Sequence, residues 1–278
     1  MRMRSLLTLS SLPLSARSLS TLPPRSVLIQ GSSRGIGLNL VKAYMASSDF
    51  GTVFATCRNP AGAEELQAVA KESGGKVTVL RLDVADSDSI EAAAALVKET
   101  TGRLHTVLNV AGVLKDDNLG IVPERRAQDF SPTAALAAFQ TNALGPMAVA
   151  SSFLPLLTPV RKSPDSREGK FVSFSARVGS IGDNSGGGWH TYRASKAAAN
   201  MYLRTLSIEY GRQNVAVVSL HPGTVDTDLT RNFLKARAKY EVREVGEACK
   251  GMMELVEGMT VEKDGGSFQD YKGEGIEW

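Results

Sequence analysis

The chain holds only two cysteines, Cys57 and Cys249, and three histidines, His105, His190 and His221. Their spacing matches no disulfide framework and no structural zinc motif, so no metal is expected. Free thiols fit a reducing compartment. No apolar run approaches the roughly 18 residues that a membrane helix needs, which argues against a membrane span. Acid is missing from the N-terminus, where the first acidic residue is Asp49. Residues 1–26 carry Arg2, Arg4, Arg17 and Arg25 against no acid, so the basic pI of 8.8 belongs to that stretch. The remainder is near neutral and has no basic stripe, which argues against a nucleic-acid partner.

That N-terminal stretch is rich in Leu, Ser and Arg, and Ser, Thr and Pro interrupt each of its apolar runs. Such a composition fits an organelle transit peptide better than a secretory signal. Residues 1–25 are therefore expected to be a leader, disordered or cleaved between Arg17 and Ser26. It would direct the chain to the mitochondrial matrix, with the plastid as the alternative. The cytoplasm follows if the leader is only an extension.

From Ser26 onward, short β-branched runs alternate with longer Ala- and Leu-rich stretches. Strands are expected at 26–30, 52–56, 76–82, 104–109, 170–175, 215–220 and 267–269. Helices are expected at 36–47, 61–73, 87–101, 132–156, 189–210 and 244–258. Strands that are apolar nearly throughout are covered on both faces. Repeated β-α units then force a parallel sheet with right-handed crossovers. The expected fold is one α/β domain, residues 26–278, with a Rossmann-type doubly wound sheet of about seven strands.

Residues 31–37 read GSSRGIG, directly after the first strand and opening the first helix. Gly31, Gly35 and Gly37 let the backbone turn sharply and approach a pyrophosphate. The helix start around Ser33, Arg34 and Ile36 then offers amides and a positive dipole end to phosphate. The second strand ends VFATCRN, without the acid that a ribose 2′-hydroxyl prefers. Arg58 there, and Arg34 in the glycine loop, can clamp a 2′-phosphate instead. NADP(H) is the expected cofactor.

Residues 192–196 read YRASK, at the start of the helix after strand five. Tyr192 and Lys196, four apart, share one helix face. A nearby ammonium favours the phenolate and makes a phenol usable as an acid-base group.

Glycine loop, Tyr/Lys pair and β-α order together resemble the short-chain dehydrogenase/reductase family, from Ser26 to Trp278. The resemblance implies further roles. Asp83 and Val84, in LDV, would contact adenine. Asn109, Ala111 and Gly112, in NVAG, match the family's Asn-Asn-Ala-Gly motif with Val110 in place of the second Asn. Asn142, in TNA, matches the helix Asn that organises a relay water. Pro222, Gly223 and Thr224, in HPGT, match the turn under the nicotinamide. Two stretches look like the C-factor and sniffer-type carbonyl reductases within the family: residues 175–184, SARVGSIGDN, and the C-terminal GSFQDYKGEGIEW.

One position departs from the family. The catalytic serine normally stands three residues before a loop glycine, and counting back from Gly179 gives Ala176. Ser175 is one residue too early and Ser180 follows the glycine. Adjacent strand residues point to opposite faces, so the offset matters unless the strand end twists. Ser175, Ser180 or no serine can fill the role, with Ser175 preferred.

The resemblance implies an NADP-dependent carbonyl reductase or alcohol dehydrogenase acting on a small carbonyl or alcohol substrate. Tyr192, Lys196, Ser175 and Asn142 would form the catalytic set, and residues 228–240 a lid over the substrate. Trp189 and His190 either line the mouth or pack the loop. Asp226 and Asp228 would cap the helix that follows. A homodimer or homotetramer through the helices at 132–156 and 189–210 is implied by the fold family. The alternative to an enzyme is an NADP-binding regulatory or signalling module with little catalysis, motivated by Ala176.

Overall fold

The structure is a computed structural model, and it describes residues 22–160, 163–231 and 241–278. The leader up to residue 21 and the expected lid from residue 232 to 240 lie outside the described residues. Among the described residues no helix is long and apolar enough to cross a membrane.

The chain opens with β1 (Arg25–Gln30), α1 (Gly35–Ala46), β2 (Phe50–Cys57), α2 (Glu64–Glu72), β3 (Val77–Arg81), α3 (Ser87–Thr101) and β4 (Thr106–Asn109). It continues through α4 (Pro132–Phe139), a π turn (Gln140–Leu144), α5 (Gly145–Leu157), β5 (Gly169–Phe174), α6 (His190–Gly211) and β6 (Val215–His221). It closes with β7 (Thr224–Val225), α7 (Asp228–Arg231), β8 (Val242–Arg243), α8 (Val245–Gly258), α9 (Val261–Asp264) and β9 (Phe268–Asp270).

Among these, seven strands form one parallel sheet in the order β3-β2-β1-β4-β5-β6-β9. The order reverses between β1 and β4, which opens a crevice at the carboxyl ends of the strands. Strands β1, β4, β5 and β6 are buried almost throughout, because helices cover both faces. One core packs α1 and α8 on one face, around Leu40, Tyr44, Met252 and Val256. The other packs α3, α5 and α6 on the opposite face, around Ile90, Phe153 and Leu203.

The seven-stranded Rossmann-type sheet expected from the sequence is present. Two boundaries moved in instructive ways. Arg25, assigned to the leader, is the first residue of β1. Its guanidinium bonds Glu257 at 2.5 Å and Asp49 at 3.1 Å and lies over the Phe50 ring. The single helix expected at 132–156 is two helices joined by a π turn that contains Asn142. Such turns occur often at functional sites. Among the described residues, Asp226 and Asp228 form ion pairs with Arg231 rather than a side-chain helix cap.

Candidate active site

A cavity of about 1360 Å³ runs along the carboxyl ends of the strands. Every residue of the glycine loop singled out from the sequence lines it: Gly31, Ser33, Arg34, Gly35, Ile36 and Gly37. So do Arg58, Asp83, Val84, Ala111, Gly112, Ser175, Tyr192, Pro222, Gly223 and Thr224. Asn109, Asn142 and Lys196 stand behind this wall, at 3% exposure or less, and shape it from there.

The glycine turn is built for a close backbone approach. Gly31 has φ 86, and a methyl group on it would come within 2.8 Å of the Ala111 nitrogen. On Gly37 a methyl group would run into the Gly31 carbonyl. The turn is held by the amides of Gly31 and Ser32, which donate to the Thr56 carbonyl at 3.0 and 2.9 Å. Opposite it, the Ala111 amide donates to Gln30 Oε1 at 3.0 Å, tying the NVAG segment to β1. Asp83 Oδ1 accepts from the Ala85 amide at 3.0 Å, which fixes the turn leaving β3. The cradle at the α1 N-terminus and the two arginines fit a dinucleotide with a phosphate at each end of its adenosine half.

The other half of the cavity carries Tyr192. The Lys196 ammonium, one helical turn further along α6, lies 6.0 Å from the Tyr192 ring centre and donates to the Phe174 carbonyl at 2.8 Å. Burial pushes its pKa down to about 8. Gly112 leaves room for it, since a methyl group there would come within 3.3 Å of Nζ.

Asn142 locks three segments together. Its Oδ1 accepts from the Val113 amide at 2.8 Å. Its Nδ2 donates to the Val113 carbonyl at 2.8 Å and to Ser195 Oγ at 3.1 Å. Ser195 Oγ in turn donates to the Tyr192 carbonyl at 2.9 Å. Both amide protons of Asn142 are thus used within the protein, between the loop after β4 and the helix that carries Tyr192.

Ser175 lines the cavity, and its hydroxyl donates to Asn200 Oδ1 at 2.7 Å. Ser180 is outside the cavity lining, and its Oγ accepts from the Asp183 amide at 2.9 Å. Ala176 lines the cavity with a methyl group. Trp189 packs edge-on against Tyr192, with ring centres 6.2 Å apart.

Three residues of the site drew no attention in the sequence. Ser195 sits inside the YRASK motif itself. Asn200 continues the four-residue spacing of Tyr192 and Lys196, a helical signal that could have found it. Glu124 has no periodic or motif signal at all, yet it is buried against Thr191.

Comparison with known proteins agrees with this geometry. The chain matches the short chain dehydrogenase family over residues 25–238. It is similar to the carbonyl reductase Sniffer of D. melanogaster, at 28% identity and a TM-score of 0.80, over 92% of this chain and all of that one. An NADPH-bound carbonyl reductase from chicken fatty liver is 31% identical, with a TM-score of 0.78 over the same shares. The C-signal of Myxococcus xanthus is 33% identical over 64% of this chain and 95% of its own length. Family match, fold and glycine cradle lead to one conclusion: the chain belongs to the short chain dehydrogenase family, whose members are oxidoreductases that bind a nicotinamide cofactor.

Proposed function

We propose that the protein is an NADPH-dependent carbonyl reductase, able to run in reverse as an alcohol dehydrogenase. The observation that carries this reading is Tyr192 on the wall of the cavity that begins at the glycine cradle, with the buried Lys196 ammonium behind it, 6.0 Å from its ring centre. The cofactor would supply the hydride. Arg34 and Arg58 would hold its 2′-phosphate, and the glycine loop its pyrophosphate. The NADPH-bound carbonyl reductase among the similar structures supports this preference.

Tyr192 donates the proton to the oxygen of the carbonyl being reduced. Lys196, whose charge faces the same ring, favours the phenolate left behind. Asn142 and Ser195 hold the first turns of α6 and the loop after β4 in register, so the phenol keeps its aim. In this structure the Ser175 hydroxyl donates to Asn200 Oδ1 at 2.7 Å, a bond that competes with donation to the substrate. We therefore assign no second hydroxyl donor to the carbonyl oxygen.

The test is NADPH consumption by the protein on a panel of aldehydes, ketones and quinones, with NADH and Tyr192→Phe as controls. Turnover that needs both NADPH and Tyr192 supports the reading. Ala176 favours the second reading, a regulatory module that binds NADPH, and tight binding without turnover on any of these carbonyls would shift the assignment to it.

Two further proposals concern the whole chain. The composition of the leader supports delivery to the mitochondrial matrix, and failure of residues 1–25 to carry a reporter into mitochondria would refute it. The exposed Leu136, Leu144, Met201 and Ile208 on the helices around the Asn142 turn and on α6 support self-association. A monomer in sedimentation at micromolar concentration would refute that.

A further inference from the structure

Helix α6 begins without a capping side chain of its own. Trp189 stands just before it in the left-handed backbone region, at φ 53, which is strained for a residue with a side chain. The cap comes from a different loop. Glu124, in the segment between β4 and α4, is 5% exposed. Both its carboxylate oxygens accept from the Thr191 amide at 3.3 Å, and one also accepts from the Thr191 hydroxyl. The Glu124 backbone carbonyl accepts from the Trp189 amide at 2.6 Å. A buried carboxylate at this end of a helix meets free amides and the positive end of the dipole, which compensate its desolvation.

Thr191 is the residue before Tyr192. The same turn is gripped from the other side by Arg193, whose guanidinium donates to the carbonyls of Gly188, Gly187 and Val178 at 2.9, 3.1 and 3.2 Å. Glu124 thus fixes the start of α6 from the β4–α4 loop, and Arg193 fixes it to the loop after β5. A methyl group on Gly188 would come within 3.4 Å of the Glu124 carbonyl, so the contact between the two loops is close.

We propose that Glu124 is a positioning residue for Tyr192: it clamps the first turn of α6 so that the phenol meets the substrate oxygen. The inference rests on the reading of Tyr192 as the proton donor. It goes beyond that reading because Glu124 lies outside the cavity lining and bonds Thr191, the residue before Tyr192.

The experiment uses the full chain with Glu124→Ala and Glu124→Gln. Rates are taken well below each variant's unfolding midpoint, and active sites are counted by NADPH titration. In Glu124→Ala, kcat is expected to fall roughly tenfold or more, the scale set by misplacing a reacting group by a fraction of an ångström. The Kd for NADPH should stay within about twofold, because the glycine cradle is untouched. Glu124→Gln, which keeps an amide oxygen to accept from Thr191, should recover much of the rate. Amide exchange over residues 190–193 should quicken in Glu124→Ala while exchange in β4 and β5 stays slow.

An unchanged kcat in Glu124→Ala would overturn the proposal, as would a loss of rate matched by an equal loss of NADPH affinity. If Tyr192→Phe keeps full turnover, it is the reading of Tyr192 as the proton donor that fails. The exchange measurement then decides the clamp by itself: faster exchange over the turn supports it and unchanged exchange overturns it.

Discussion

Ser175 donates its hydroxyl proton to Asn200 Oδ1 across 2.7 Å, and both side chains are buried. Asn200 lies two turns along α6 from Tyr192, on the face that also carries Lys196. In this structure the Ser175 hydroxyl joins the end of β5 to α6, and both Ser175 and Ala176 line the cavity. Ser175→Ala should leave kcat within a few-fold of the parent and lower stability by about 1–2 kcal/mol, because Asn200 loses its buried partner. Ala176→Ser should raise kcat/KM, by roughly tenfold, since one well-placed donor to a developing oxyanion is worth more than that. Steady-state rates and denaturant unfolding check both. A hundredfold loss of kcat in Ser175→Ala would reinstate Ser175 as the donor.

Arg58 follows the buried end of β2 and Arg34 precedes α1, and both line the cradle end of the cavity. Removing one guanidinium from a bound phosphate costs about 1.5–3 kcal/mol. Arg58→Ala should thus raise the KM for NADPH by roughly ten- to a hundredfold and barely change that for NADH. Equal losses with both cofactors would show that Arg58 does not read the 2′-phosphate.

Lys196 gives a pH signature. Burial lowers its pKa to about 8 in the folded protein, while in the unfolded chain a lysine titrates near 10.4. The folded state binds fewer protons between those values, so stability rises with pH across that window. The cost of the buried ammonium, roughly 3 kcal/mol, is fully present below the lower value. Lys196→Met has no such charge and loses the bond to Phe174 and the ammonium facing the Tyr192 ring. The stability gap between parent and variant should therefore shift in the parent's favour from about pH 8 to about pH 10. Urea unfolding of both proteins over that range checks it, and a constant gap would contradict the assignment of a buried, titrating ammonium.

Much of this was legible in the residues. The glycine spacing after β1 and the YRASK motif each encode a local geometry that needs few other contacts. The sheet followed from apolar runs between amphipathic helices. What stayed hidden depends on partners distant in sequence. The π turn at Asn142 breaks no apolar periodicity, so 132–156 read as one helix. The orientation of Ser175 depends on Asn200, twenty-five residues on, and on how β5 ends. Glu124 sits in a polar loop and becomes significant only when the fold brings it to Thr191. Arg25 reads as part of a basic leader until Glu257, far along the chain, appears beside it.

The central claim is that Tyr192 donates the proton in an NADPH-dependent reduction. Its most direct test compares parent and Tyr192→Phe in single-turnover NADPH oxidation with a responsive aldehyde, ketone or quinone, alongside NADPH binding by fluorescence. The account predicts a loss of rate of at least roughly a thousandfold, in the range for general-acid catalysis, with NADPH affinity nearly unchanged. A variant that still reduces the carbonyl within about tenfold of the parent would contradict it.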